Sequence, residues 1–214
     1  MSNRYSVAGP EGEFEPGSNG ELLRNKQGIS TSADMDDLEL SLLVQLYQEV
    51  LGEQQPTGVL RVSDLRTWHR WWLGNVYEWA GQDRSVNMSK GGFAFAAAAQ
   101  VPRLLQEFEK NCLARWTPCD GLAGDDLAEA IAVTHVEFIL IHPFREGNGR
   151  LSRLLADVMA VQAGHQPLDY SAWDARKDEY IAAIHAGFSG NYAPMKTRVA
   201  EALDAGERDV NEPA

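Results

Sequence analysis

Apolar residues recur at helical spacing in seven separate runs of this chain, and in only one stretch do they alternate as a strand requires. The helical runs cover 35–51, 63–79, 97–116, 125–141, 151–163, 172–186 and about 193–205. The exception is 84–95, where Val86 and Met88, then Lys90-Gly91-Gly92, then Phe93 and Phe95 read as a β-hairpin turning on its glycines. The fold expected is mainly α, a single helical bundle of about seven to eight helices with one small β-hairpin. Two strands alone are marginally stable in water, so an isolated hairpin needs a reason to be kept.

Boundary residues refine this division. Ser63 or Asp64 can cap the second run, and Gly81 closes it. Residues 1–20, rich in Gly, Pro, Ser and Glu, read as a flexible N-terminal arm, and the charged, Pro-containing 206–214 as a disordered tail. Between them 21–205 form one domain. A length of 214 residues with 44% hydrophobic content suffices for one well-packed core.

Composition removes several classes of function. A net charge of -12 and a pI near 4.8 argue against a nucleic-acid binder, because phosphate backbones are recognised by positive surface. Cys112 and Cys119 are spaced unlike any metal knuckle, so neither a zinc site nor a disulfide framework is expected, and a reducing cytoplasm fits. The first residues lack an apolar signal core, and no stretch reaches membrane-span length; no membrane partner is expected.

Chemistry concentrates in nine consecutive residues, His142-Pro143-Phe144-Arg145-Glu146-Gly147-Asn148-Gly149-Arg150, a loop between two helical runs. Loops held by rigid helices are where chemistry tends to sit. Arg150 and Arg153 fall in the first turn of the second helix, where the macrodipole already presents positive charge, so an anion should compensate them. Gly147 and Gly149 can take φ > 0 and turn backbone amides into a phosphate-cradling concavity. Glu146 would sit inside a phosphate site, which makes sense with a bridging divalent ion such as Mg²⁺. His142 carries a side-chain type able to change protonation near neutral pH, and is the natural general base for a nucleophilic hydroxyl.

The same residues resemble the signature of the Fic (filamentation induced by cAMP) family, H-x-F-x-[DE]-G-N-G-R-x-x-R, matched at His142, Phe144, Glu146, Gly147, Asn148, Gly149, Arg150 and Arg153. Asn25-Lys26-Gln27-Gly28-Ile29, Val76-Tyr77-Glu78-Trp79-Ala80-Gly81 and Ser89-Lys90-Gly91-Gly92 extend the likeness over roughly 15–195. The resemblance implies a protein adenylyltransferase that moves AMP from ATP, with Mg²⁺, to a Ser, Thr or Tyr hydroxyl of a target protein. It implies that His142 is the base, Arg150 neutralises developing charge, and Glu146 holds the metal. Phe144, Arg145, Gly147, Asn148, Gly149, Arg150 and Arg153 would bind nucleotide, with Phe144 wedging the loop and Arg153 on the γ-phosphate. Tyr180 would line an adenine pocket, and Ser89, Lys90, Gly91 and Gly92 would tip a flap that docks the target through its unpaired edge. Fic-fold enzymes that transfer UMP or phosphocholine or remove AMP share every motif residue. A nucleotide-binding module with little turnover is the remaining alternative, though it would not need His142.

Regulation and location follow the same likeness. Many family members are inhibited by a helix with the pattern [ST]-x-x-x-E-[GN], and no complete copy occurs here; Thr197 to Ala202 comes nearest, with Glu201 in place but the last position wrong. A toxin-like enzyme silenced by a separate antitoxin-like protein is therefore expected, in a bacterial cytoplasm, with secretion as an effector left open. Elsewhere, Trp68, Trp71, Trp72 and Trp79 read as packing and His135 as a support for the loop, while His69, His165 and His185 show no partner pattern.

Overall fold

The computed structural model describes residues 10–211. They pack as two compact units. The first takes in the chain up to Gln54 with Val62–Leu105 and Ile141–Leu151; the second takes in Gln55–Arg61, Gln106–Leu140 and the chain from Ser152 onward.

In the first unit, α1 (Ser32–Gln48) is capped by Thr31, whose hydroxyl accepts the Asp34 N–H at 3.3 Å. It packs on α2 (Val62–Leu73), which buries Leu65, Trp68, His69, Trp72 and Leu73 at the i, i+3, i+4, i+7, i+8 spacing of an amphipathic helix. Trp71 lies off that stripe and is 46% exposed, so the four tryptophans do not all pack. The helix expected to reach residue 79 stops at Leu73. A Cβ on Gly74 would come within 2.4 Å of the Arg70 carbonyl oxygen, and the chain continues in turns to Gly81 at φ 78°. The hairpin is short: β1 (Ser89–Lys90) pairs antiparallel with β2 (Phe93–Ala94) in the register Ser89 to Ala94 and Lys90 to Phe93. Gly91 and Gly92 both have positive φ, 57° and 82°, as a two-residue type I′ turn demands.

α3 (Val101–Phe108) runs on through a π turn at Glu109–Leu113 into the single turn α4 (Ala114–Trp116). α5 (Gly124–Ile141) lies mostly in the second unit, and α6 (Asn148–Gln162) enters it from Ser152; both are largely buried, with Leu127, Ile131, Val136 and Phe138 on one and Leu154 to Ala160 on the other. Helices buried to that extent form the core. The run expected over 172–186 breaks at Arg176, which leaves the helical region (φ -115°, ψ 51°) between α7 (Ser171–Ala175) and α8 (Lys177–Gly187). α9 (Ala193–Asn211) then packs on α8. Counting the α3 to α4 run as one, eight helices and one hairpin make up the described residues. None of the helices is long and apolar enough to cross a membrane.

Two expectations about the ends change. The part of the arm that is described, from residue 10, is tied down: Phe14 bridges Leu23, and the Glu11 carboxylate accepts the Ser85 N–H (3.1 Å) and hydroxyl (3.0 Å). At the other end α9 continues through Asn211, with Glu207 accepting from the His165 ring at 3.1 Å and the Gln166 N–H at 3.0 Å. The remainder of both predicted end segments, 1–9 and 212–214, lies outside the described residues.

Gly206 lets this part of α9 pack closely. A Cβ there would stand 2.3 Å from the Pro167 carbonyl oxygen, so the glycine permits a close backbone approach. Gly206→Ala should therefore lower stability by about 1–3 kcal/mol, the cost of overpacking against backbone that cannot step aside. Urea unfolding measures it; a midpoint equal to that of the unaltered chain would mean that this end is frayed after all.

Candidate functional site

Between α5 and α6 the chain has to turn inward, and Pro143, Phe144, Arg145, Gly147 and Asn148 are all buried. Buried backbone must find partners. His142 takes a left-handed conformation, φ 51°, which histidine tolerates better than most side chains but which still stores strain. Its carbonyl accepts from Arg84 Nε at 2.6 Å, and its ring stacks on Phe95, just beyond the hairpin, at 3.7 Å between centroids. Asn148 clasps Phe144 with both arms, its Oδ1 accepting the Phe144 N–H (2.9 Å) and its Nδ2 donating to the Phe144 carbonyl (2.7 Å). The side-chain amide expected on phosphates thus faces the loop's own backbone.

His69, which showed no partner pattern in the sequence, is a main support. The Gly81 N–H donates to its Nδ1 at 2.8 Å, so the ring proton sits on Nε2 and donates to the Glu146 carbonyl at 3.1 Å. The ring also stacks on Phe144 at 4.1 Å. Burial holds its pKa down at about 4, with Arg150 adding to the effect. Gly147 (φ 81°) is required twice over: the backbone is left-handed, and a Cβ would come within 2.6 Å of the Trp72 ring. Gly149 lies exposed in the first turn of α6 without a positive φ, so only one of the two glycines uses the freedom expected of both.

The charged residues show where the compensating anions are. Arg150, 4.5 Å above the Trp72 ring, pairs with Glu39 of α1 at 2.7 Å and stands 3.6 Å from Glu146. Glu39 is buried and also accepts the Tyr77 hydroxyl at 2.8 Å; burial raises its pKa against the opposing pull of Arg150 and Tyr77. Glu146 is partly exposed, and its Oε1 accepts the Gly147 N–H at 2.9 Å. Arg145 does not point outward: it is buried, with Nε donating to the Glu11 carbonyl at 2.7 Å. Ser89, Lys90, Gly91 and Gly92 are exposed at the hairpin tip.

Arg153 and Tyr180 fall in the second unit. There Arg153 forks onto Asp174 (2.6 and 3.2 Å) and lies 4.8 Å over the Tyr170 ring. The bond to Arg153 lowers the Asp174 pKa. The Tyr180 hydroxyl donates to His135 Nε2 at 2.9 Å, since the other ring nitrogen must donate to the Ser152 carbonyl at 3.3 Å. Burial lowers the His135 pKa to about 4 as well. Its bond to Ser152 of α6 makes His135 a helix support. Tyr180 stacks on Trp173 at 5.2 Å. Glu201, the nearest in-chain candidate for an inhibitory carboxylate, pairs with Arg176 at 2.7 Å and not with Arg153.

Known proteins are similar to this chain in sequence and fold. The profile of the Fic/DOC family matches residues 59–160. A probable protein adenylyltransferase of Sinorhizobium fredii, y4lH, is 30% identical over 182 residues, covering 83% of this chain and 89% of that protein. The protein adenylyltransferase VbhT of Bartonella schoenbuchensis is 28% identical over 184 residues, 85% of this chain but only 37% of VbhT. Among solved structures, the BepC protein of Bartonella tribocorum with bound AMPPNP superposes with a TM-score of 0.71 at 25% identity, covering 85% of this chain and 92% of that one. The N-terminal Fic domain of an effector from Bartonella sp. AR 15-3 gives 0.74 at 23% identity, covering 94% and 93%, and shows the likeness of fold alone.

The neutral His69 ring makes the site acid-sensitive. An unfolded histidine takes up a proton near pH 6.5, whereas folded His69 does so only at about 4, so acid favours the unfolded chain through that window. The stability is present in full above pH 6.5 and is lost at about 1.4 kcal/mol per pH unit on the way down to 4. Urea titrations at pH 7 and 5 should show a smaller pH dependence for His69→Gln than for the unaltered chain; equal dependence would mean that the ring is already protonated when folded.

Proposed function

The chain belongs to the Fic/DOC family, and on that footing we propose that it is a protein adenylyltransferase moving AMP from ATP to a Ser, Thr or Tyr hydroxyl of a target protein. The observation that carries the reading is the placement of the His142 imidazole. It stands on a strained backbone with its ring stacked on Phe95, at the head of the loop that carries Glu146 and leads into α6 with Arg150. An acceptor oxygen attacks the α-phosphorus of ATP, its proton passes to His142, and the α–β P–O bond breaks to release pyrophosphate. Transfer of this kind needs positioning and charge neutralisation more than covalent help.

Each remaining residue has a part in that scheme. The first amides of α6, with Gly147 before them, receive phosphate oxygens. Asn148, Arg145 and Phe144 shape the loop by the bonds and stacking already described. Arg150 meets the developing charge while Glu39, buried behind it, stays in place. Arg153 takes the γ-phosphate by exchanging Asp174, which is 65% exposed; such surface pairs are weak enough to give way. Tyr180 serves the adenine pocket through its ring, its hydroxyl being bonded to His135. The exposed hairpin receives an extended segment of the target along its open edge.

Glu146 is the residue that would hold a metal ion. Among the described residues no group of three or more His, Cys, Asp or Glu gathers, and Glu146 would contribute a single carboxylate. A hard cation such as Mg²⁺ fits that single carboxylate and supplies charge neutralisation to the triphosphate when bound. As for control, Glu201 is committed to Arg176. We assign inhibition to a separate antitoxin-like protein that presents a carboxylate to Arg153, the same fork the γ-phosphate needs.

With labelled ATP in a bacterial lysate, His142→Ala should reduce transfer by at least about 10²-fold while leaving ATP affinity unaltered, because the imidazole acts on the acceptor. Modification from labelled UTP or CDP-choline, and none from ATP, would replace AMP as the transferred group. Arg150→Ala should weaken Mg·ATP binding by about 1.5–3 kcal/mol, the range for a hydrogen bond to a charged group. Calorimetry that finds the affinity unchanged removes Arg150 from the nucleotide.

A further inference from the structure

Arg84 is buried at 3% exposure and reaches three pieces of backbone at once. Its guanidinium donates from Nε to the His142 carbonyl (2.6 Å), from Nη2 to the Ile141 carbonyl (3.1 Å) and the Ala96 carbonyl (2.5 Å), and from Nη1 to the Val86 carbonyl (2.5 Å). Its own backbone N–H donates to the Pro143 carbonyl at 2.8 Å. Ile141, His142 and Pro143 open the loop. Val86 and Ala96 stand on the two limbs at the base of the hairpin, where the Phe95 N–H also donates to the Met88 carbonyl at 3.1 Å. Between the two groups, Phe95 lies parallel to the His142 ring, 12° between planes.

We infer that Arg84 is a positioning residue that joins the hairpin base to His142, so that the acceptor-docking strand and the general base are held in one frame. The inference rests on the adenylyltransferase reading for what the frame is used for, and on the geometry alone for its existence. An acceptor paired along the hairpin edge has to present its hydroxyl within hydrogen-bond reach of His142. The hairpin cannot guarantee this by itself, because its strands are two residues each. A guanidinium suits the task for a geometric reason: its planar fork offers five fixed N–H donors, while a lysine ammonium offers three on a flexible stem. Arg84 touches neither donor nor acceptor in this scheme and acts only through His142 and the hairpin.

The test separates positioning from mere support. Proton spectra of the imidazoles in the full chain, with His142 assigned by its replacement, should show the His142 ring protons shifted upfield by Phe95. In Arg84→Lys they should move back toward the values of a free imidazole, while the His135 and His185 signals stay where they are and report an intact second unit. With Mg·ATP as the probe, calorimetric affinity should change by less than about twofold, while the rate of AMP transfer falls by about 10²-fold, as expected for a displacement of roughly 1 Å. An unmoved His142 signal with undiminished transfer overturns the inference. Unmodified protein gives a second measurement that does not depend on the variant folding: the Arg84 Nε–H should exchange with water as slowly as buried helix amides. Exchange as fast as that of exposed Arg70 overturns it too. If the unaltered chain neither binds Mg·ATP nor transfers AMP, the enzymatic reading fails, but the ring signal still decides whether Arg84 holds His142 to the hairpin.

Discussion

A turn can be buried between two helices only if its peptide groups find partners, and here side chains from the loop's own end and from elsewhere in the first unit provide them. Arg84 takes the carbonyls of Ile141 and His142, Asn148 takes both polar groups of Phe144, and His69 takes the carbonyl of Glu146. Each unpaired buried group would cost about 1–3 kcal/mol. The loop's shape, and with it the left-handed backbone at His142, depends on this small set of bonds. Packing adds to them: His69 stacks on Phe144, and Trp72 lies against Gly147 so closely that no other residue fits there.

Charge is treated differently at the two arginines of α6. Glu39 is buried, bonded by Tyr77 as well as by Arg150, and stands on α1, far from Arg150 along the sequence. Breaking such a pair strands a charge away from water, which makes it a fixed part of the scaffold. Asp174 is open to solvent, and water can replace Arg153 around it. A single helix thus presents one cation that is anchored and another that is exchangeable.

What the sequence disclosed and what it hid divide along distance in the chain. The nine residues from His142 to Arg150 are contiguous, and their chemistry could be read directly. Their supports could not, because Arg84 acts across 58 positions and His69 across 77, and no local spacing marks either. The end of α2 is hidden for another reason: Val76, Tyr77 and Ala80 are buried after the helix has stopped at Leu73, and buried turns mimic helical periodicity. Gly206 gives no sign of its packing role, because a glycine used for close packing looks, in sequence, like one used to end a helix. The anions opposing Arg150 and Arg153 were expected from a ligand; the chain itself carries them.

The φ of 51° at His142 limits what can stand there. Glycine and asparagine take that conformation readily, whereas a β-branched residue would tear the loop from its supports. Loss of the imidazole to either of the first two would leave the peptide path, the helix N-terminus and both arginines as they are. Descendants of such a chain could shed their chemistry in one step and keep the surface, persisting as silent receptors for whatever the active form once modified.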